Sequence, residues 1–245
     1  MTSDATRRPQ RPHRPSAGPQ NLGSGVTACT FDCYGTLIDW RAGIERHLGL
    51  ALRNAGYSGS APIYPMYTEI ERGEERTYAP YRQILATTAM RVADRLGTRL
   101  PPNAARSFAE SLPEWPAFPD SAEVLRELGR RGILRVILSN VDRDLLRGTI
   151  RQSGLEVDGL VTAEDVRSYK PAPAHWLRFY RDFAVERSST LHVAHSLVHD
   201  IRTAEELGIR TVWVDRYGEE LSASVHPTFV TRDLEELLRI VPRPS

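Results

Sequence analysis

A single lysine, Lys170, stands among the 32 lysine and arginine residues of this 245-residue chain. Everywhere else the sequence meets the need for a basic side chain with arginine, so the exception marks a place where the two differ. Lysine carries a compact point charge on a flexible stem, whereas arginine is a bulky planar fork. A site beside a small nucleophilic carboxylate accepts the first and rejects the second; a chance surface lysine is the alternative. Asp32 is a carboxylate placed at a strand end, since it closes the short apolar run at 26–31 and precedes the turn residue Gly35. Two opposite unit charges about 4 Å apart attract by about 4 kcal/mol at an effective dielectric of 20, which keeps a carboxylate ionised for covalent attack. Three further polar clusters accompany this pair: Ser139-Asn140, Ser168-Tyr-Lys-Pro171 and His195-Ser-Leu-Val-His-Asp200. Each alone is weak, since such residues are common in turns and caps. Their order and their placement after apolar runs make the set specific.

The elements that must position these groups follow from periodicity. Besides 26–31, strand-like runs rich in Val, Ile and Leu occupy 134–138, 159–162, 191–194 and 210–214. Helical patterns lie between them. Asp120 with Glu123 resembles a capping box, Pro171 suits a helical first turn, and Asp200 is placed to cap a helix that Gly208 ends. Strands alternating with helices predict a parallel, doubly wound α/β sheet with a Rossmann-like core. One interval breaks the alternation. Between about 41 and 115 no strand is evident, while Ile44, Leu48 and Leu52 mark one helical face and Leu85, Ala89, Val92 and Leu96 another. This predicts a helical cap at 41–116 inserted after the first strand, over a core formed by 26–40 and 117–245. Ligands of open α/β sheets bind at the carboxyl ends of strands, where such an insertion would cover them.

Asp32-x-Tyr-Gly-Thr-Leu37, Ser139-Asn140, Lys170-Pro171 and the Asp200 loop together resemble the four motifs of the haloacid dehalogenase (HAD) superfamily, in the same order and with a cap between the first two. The resemblance runs from about residue 26 to the C-terminal region. It implies an aspartyl nucleophile at Asp32, with Lys170 and Asp200 completing the catalytic set. Superfamily phosphatases place a second aspartate two residues after the nucleophile as general acid; this chain has Tyr34 there. Loss of a poised acid costs roughly 10²–10⁴ in rate when an alkoxide must leave, whereas halide leaves without a proton. The first acidic position of the fourth motif falls on His195, and replacing a carboxylate by imidazole weakens a Mg²⁺ site. His195 as a plain polar strand-end residue is the alternative to a direct role. Tyr34 resembles the type II (S)-2-haloacid dehalogenases and His195 points the same way, which implies hydrolysis of a small 2-haloalkanoic acid without a metal or other cofactor. The run His195-Ser-Leu-Val-His199 departs from that family, since it does not reproduce the Ser and Asn before the motif-four aspartate. The alternatives are a Mg²⁺-dependent phosphatase of a small metabolite and, behind it, a non-catalytic binding module.

By the same resemblance, Asp32 attacks the halogen-bearing carbon to form an ester, and water, with Asp200 as base, hydrolyses it while Lys170 stabilises the developing charge. Ser139 and the backbone N–H groups of Cys33 and Tyr34 would hold the substrate carboxylate, Thr36 would orient the nucleophile, and Asn140 would order the site. The family has a tyrosine six residues after the lysine, where this chain has Trp176, which offers no hydroxyl. The family's halide-binding cap arginine has no counterpart identifiable by motif; Arg72 and Arg76 are candidates, with Arg82 behind them. Tyr67, Tyr78 and Tyr81 are either pocket residues or core packing. His192 and His199 read as structural or surface residues.

Bulk properties narrow the partners. A formal charge of +1 argues against electrostatic binding of nucleic acid, and no apolar run reaches the roughly 18 residues of a membrane span. Residues 1–25 read as a disordered, mildly basic Arg/Pro-rich tail without the apolar stretch of a signal peptide. Cys29 and Cys33, the only cysteines, lie roughly 13 Å apart in an extended chain, too far for a disulfide, which points to a reducing cytoplasm. The expected partner is a small-molecule substrate. A homodimer is expected from the resemblance.

Overall fold

A computed structural model describes residues 25–243; of the N-terminal tail expected at 1–25, all but Gly25 lies outside them. Six strands form one sheet: β1 (Ala28–Phe31), β2 (Leu134–Ser139), β3 (Gly159–Thr162), β4 (Thr190–Ala194), β5 (Arg210–Val214) and β6 (Phe229–Thr231). The order is β3-β2-β1-β4-β5-β6 and every pairing is parallel. The four strands expected after the first are therefore present nearly as bounded. β6 was not foreseen, because three residues with one exposed side chain give almost no periodic signal. β1 lies between β2 and β4, with Phe31 level with Ile137 on one side and Val193 on the other. Its four residues are all buried, as expected of a central strand covered on both faces.

Between β1 and the rest of the core run four helices: α1 (Trp40–Asn54), α2 (Ile63–Glu74), α3 (Tyr81–Arg95) and α4 (Pro102–Glu110). Asp39 caps α1, accepting from the N–H of Ala42 at 3.0 Å. The expected apolar faces are inward: Ile44, Leu48 and Leu52 on α1 and Leu85, Ala89 and Val92 on α3 are buried, with Leu96 packed against them. An antiparallel bridge between Ile38 and Ala117 closes the insertion at its base. Trp115 packs at 4.9 Å from Trp40 and 5.7 Å from Phe108, filling the junction.

Six helices complete the core: α5 (Ser121–Arg130), α6 (Arg143–Gln152), α7 (Ala163–Val166), α8 (Ala174–Phe183), α9 (Arg202–Glu206) and α10 (Leu237–Ile240). Three local expectations need correction. Asp120 makes no capping hydrogen bond; its carboxylate instead takes two N–H groups of Arg216 at 2.7 and 2.8 Å and the backbone N–H of Leu234 at 2.8 Å. Pro171 lies in a turn, and α8 begins only at Ala174. Asp200 is no cap, because it is buried inside a tight π-type turn, Leu197–Ile201, ahead of α9. The guanidinium fork and the buried ammonium are stronger partners for these carboxylates than a single helical N–H.

Candidate active site

The polar groups predicted at strand ends do converge. A cleft of about 280 Å³ opens above the carboxyl ends of β1, β2 and β4, with the helical insertion as its other wall. Asp32, Tyr34, Ser139, Asn140, Lys170, His195 and Asp200 all line it.

At its floor the Lys170 ammonium donates to Asp32 Oδ1 at 2.8 Å, Asp200 Oδ1 at 2.6 Å and the Leu138 carbonyl at 3.0 Å. Its three donors are thereby used, and only 2 % of the side chain is exposed. Burial alone would lower the lysine's pKa, but the Asp200 and Asp32 carboxylates outweigh it and raise the value above the ordinary range. Burial would likewise raise that of Asp200, yet the Lys170 charge and the His192 hydrogen bond hold it well below the usual carboxylate range. The backbone fixes the lysine as well: Asn140 Oδ1 accepts from its N–H at 2.7 Å.

Asp32 is steadied on its other oxygen. Thr36 Oγ1 donates to Asp32 Oδ2 at 2.7 Å and accepts from the His195 N–H at 2.9 Å, tying the loop after β1 to the end of β4. Between them Gly35 has φ +96°, and a Cβ there would meet the His195 ring at 3.3 Å, so the turn requires glycine. The Arg216 guanidinium donates to the Thr36 carbonyl at 2.9 and 3.2 Å while paired with Asp120.

Beneath Asp200 lies His192, expected as a structural or surface residue. His192 is fully buried on β4, with Nε2 3.1 Å from Asp200 Oδ1 and Nδ1 2.8 Å from Thr30 Oγ1. A carboxylate only accepts, so Nε2 carries the proton and Nδ1 accepts from the threonine hydroxyl. Asp200 Oδ1 is then shared by lysine and histidine, and Oδ2 is buried without a partner among the described residues. His195, in contrast, rests with Nδ1 at the Val214 carbonyl and Nε2 3.7 Å from Glu219.

The other predicted residues divide. Tyr34 lines the cleft, but its hydroxyl is bonded to Thr149 Oγ1 at 2.7 Å and its ring packs on Trp40 and Trp115. The Cys33 side chain is buried outside the cleft, leaving only its backbone near the site. Arg72 lines the cleft. Arg76 does not: α2 ends at Glu74, and the cleft-facing row Tyr64, Thr68, Glu71, Arg72 and Glu75 stops before it, leaving Arg76 exposed. Arg82 is held by Asp142 and Asp144. Trp176 is also absent from the cleft. The apolar side of α8 faces the sheet, and Trp176 is buried with Val136, Leu138 and Phe179, 5.3 Å from the His192 ring. Tyr81 lines the cleft, Tyr67 is buried beside Trp40, and the Tyr78 ring lies tilted 5.6 Å from that of Tyr169. Glu71 and Glu75, in the cleft wall, were missed, since in sequence they read as a solvated charged helix face.

The family profile described as haloacid dehalogenase-like hydrolase matches residues 26–208. The chain is 30% identical over 213 residues to (S)-2-haloacid dehalogenase 4A of Burkholderia cepacia, covering 79% of this chain and 84% of that protein. It is 26% identical over 208 residues to (S)-2-haloacid dehalogenase 1 of Pseudomonas sp. strain CBS-3, covering 82% and 90%. Its fold is similar to the structure of L-2-haloacid dehalogenase from Xanthobacter autotrophicus, with TM-score 0.78 and 21% identity over 88% of this chain and 98% of that one.

Proposed function

The chain belongs to the haloacid dehalogenase-like hydrolases, and we propose that it hydrolyses the carbon–halogen bond of a small 2-haloalkanoic acid through an ester on Asp32. The observation that carries this reading is the buried Asp32–Lys170–Asp200 triad at the foot of a cleft whose position 34 is a tyrosine with its hydroxyl engaged elsewhere.

Asp32 is the nucleophile. Its Oδ1 faces the lysine and its Oδ2 the threonine, which aim the carboxylate without protonating it. Ser139 and the backbone N–H groups of Cys33 and Tyr34 bind the substrate carboxylate, and Asn140 holds the lysine backbone in place. Attack forms a bond from a carboxylate oxygen to the substrate carbon, and both electrons of the carbon–halogen bond leave with the halide. Water then attacks the ester carbonyl. Asp200 Oδ2, the carboxylate oxygen left without a partner among the described residues, orients that water and takes its proton, while Lys170 stabilises the oxyanion. The insertion at 41–116 serves as the cap that encloses the substrate.

No step calls for a cofactor. The Asp32 and Asp200 carboxylates converge here on the Lys170 ammonium, and a halide leaves without a proton or Lewis acid. Among the described residues no helix is long and apolar enough to cross a membrane. Cys29 and Cys33 are free, buried thiols, which supports a reducing cytoplasm; sedimentation of the full chain tests the expected homodimer.

The deciding experiment is a single turnover of excess enzyme on (S)-2-chloropropionate in H₂¹⁸O, beside a panel of phosphate esters, each with and without EDTA. Chloride release that survives EDTA, with ¹⁸O found in the Asp32 peptide, is the expected result. Phosphate release abolished by EDTA, without chloride release, overturns the reading.

A further inference from the structure

In a displacement by Asp32 the leaving group departs on the side away from the attacking oxygen, towards the wall that the insertion provides. That wall offers two carboxyls. Glu71 and Glu75 lie four residues apart on the cleft-facing row of α2 and its end, where like charges repel. The one buried ammonium is spent on Asp32, Asp200 and a carbonyl, and Arg72 is exposed. Glu75 is one-tenth exposed. Its Oε1 stands 3.5 Å from Asn140 Nδ2 and its Oε2 3.8 Å from His199 Nε2. Glu71 accepts from the Tyr81 hydroxyl at 2.6 Å. Two carboxyls so placed, opposed only by the exposed Arg72 and the already engaged Lys170 among the described residues, share a proton near neutral pH.

We propose that Glu75, in its protonated form, receives the departing halide by donating a hydrogen bond from its carboxyl O–H. This rests on Asp32 being the nucleophile. The proton stays on Glu75, the halide leaves with both bonding electrons, and the charge of Asp32 reappears on the halide. A carboxylic acid thereby stands where a cationic side chain would otherwise neutralise the anion. An ionised Glu75 would repel it.

The surroundings set the pH at which this changes. Burial first, then Glu71, push the Glu75 carboxyl up to about 8, against the opposing effects of Asn140, Lys170 and Arg72. Burial pushes Glu71 up to about 7. His199 is held low by burial and is neutral here, and Tyr67 and Tyr81 are raised well above 10. Tyr169 too is raised, chiefly by burial, with Glu75 adding to it. Glu75 therefore donates below about 8 and repels above it.

Bromide binding to the full chain, read by quenching of tryptophan fluorescence with Trp40 in the cleft wall, tests this without turnover. We expect wild-type affinity to fall about tenfold or more as pH rises through the Glu75 titration, a difference of about 1.4 kcal/mol. Glu75→Gln, whose amide still donates, should keep the affinity and lose that fall. Glu75→Ala should bind weakly throughout. Glu71→Gln should keep the fall but move it to lower pH by removing the neighbouring charge. In turnover, Glu75→Ala should slow 2-chloropropionate more than 2-bromopropionate, because the smaller halide gains more from the hydrogen bond. Wild-type affinity that is flat with pH, or a Glu75→Gln chain with the same fall, overturns the proposal. Bromide binding with the expected pH dependence but no halide release from any 2-haloacid would instead sink the dehalogenase reading alone.

Discussion

Replacing Lys170 by Met removes the ammonium and keeps most of the stem volume. Asp32 and Asp200, both buried, are then left facing each other without the charge that lies 2.8 and 2.6 Å from them. Breaking a buried ion pair from one side costs about 3–5 kcal/mol, because the surviving charge is desolvated and unpaired. For a domain of this size that lowers the melting temperature by roughly 10 °C at neutral pH. The pH dependence distinguishes this cause from simple loss of packing. Asp200 has a depressed pKa in the native protein, so its pairing contributes stability above the ordinary aspartate range, and that contribution is lost as pH falls through the native value. Lys170 has a raised pKa, so its share is complete below the ordinary lysine range and fades only in strong alkali. The gap between wild type and Lys170→Met should therefore be widest at neutral to mildly alkaline pH and shrink as pH drops towards about 4, because the variant's buried, facing carboxyls take up protons above the ordinary aspartate range. Urea unfolding followed by circular dichroism across that range measures it. A gap below about 1 kcal/mol at neutral pH, or one that does not change with pH, would refute the reasoning.

Asp32→Asn should fold normally and lose about 10⁴-fold or more in halide release, as expected when the attacking group itself is removed; full activity would rule out the aspartyl ester. His192→Phe keeps the ring volume but takes a hydrogen bond from Asp200 and leaves Thr30 Oγ1 alone, at about 1–3 kcal/mol. The Asp200 pKa should rise and the second step should slow, so intact-mass spectra under excess 2-chloropropionate should show accumulated ester; an unchanged burst would dissociate His192 from hydrolysis. Arg216→Lys loses the fork that binds Asp120 and the Thr36 carbonyl together. Turnover should fall by roughly tenfold, a cost of about 1.4 kcal/mol in positioning, with substrate affinity little changed. Equal losses in kcat and in affinity would place its effect on binding instead.

How far the sequence carried can be judged residue by residue. Asp32, Ser139, Lys170 and Asp200 were legible because each terminates an apolar run or sits in a turn of a recognisable motif, and parallel topology forces such termini together. β6 was not legible, since Phe229–Thr231 is too short to express a period. His192 was overlooked because a histidine within a buried strand shows no outward sign of which group its ring meets; only the register beside β1 puts it under Thr30 and Asp200. Trp176 was misplaced because spacing along the chain measures turns of α8 but not the level at which that helix crosses the sheet. Arg216 and Asp120 are 96 residues apart, and nothing local announces their pairing.

The site's charge arrangement would let one lysine serve both halves of the proposed reaction. Before attack, its ammonium is shared between two carboxylates, and the pair carries one negative charge in excess. In the proposed reaction, forming the ester turns Asp32 neutral and transfers its charge to the halide, which the proposed role of Glu75 places on the far wall of the cleft. Lys170 then has one anionic partner, Asp200, and a free donor directed at the ester. When water adds to that ester, the new oxyanion forms where the carboxylate charge had been, and the ammonium is already in position without a solvent shell to reorganise. An arginine in the same place would have its fork engaged by two carboxylates in a fixed plane, with no single donor to redirect from a carboxylate to an ester. The chemistry thus accounts for the lysine as the exception in a chain otherwise built with arginine.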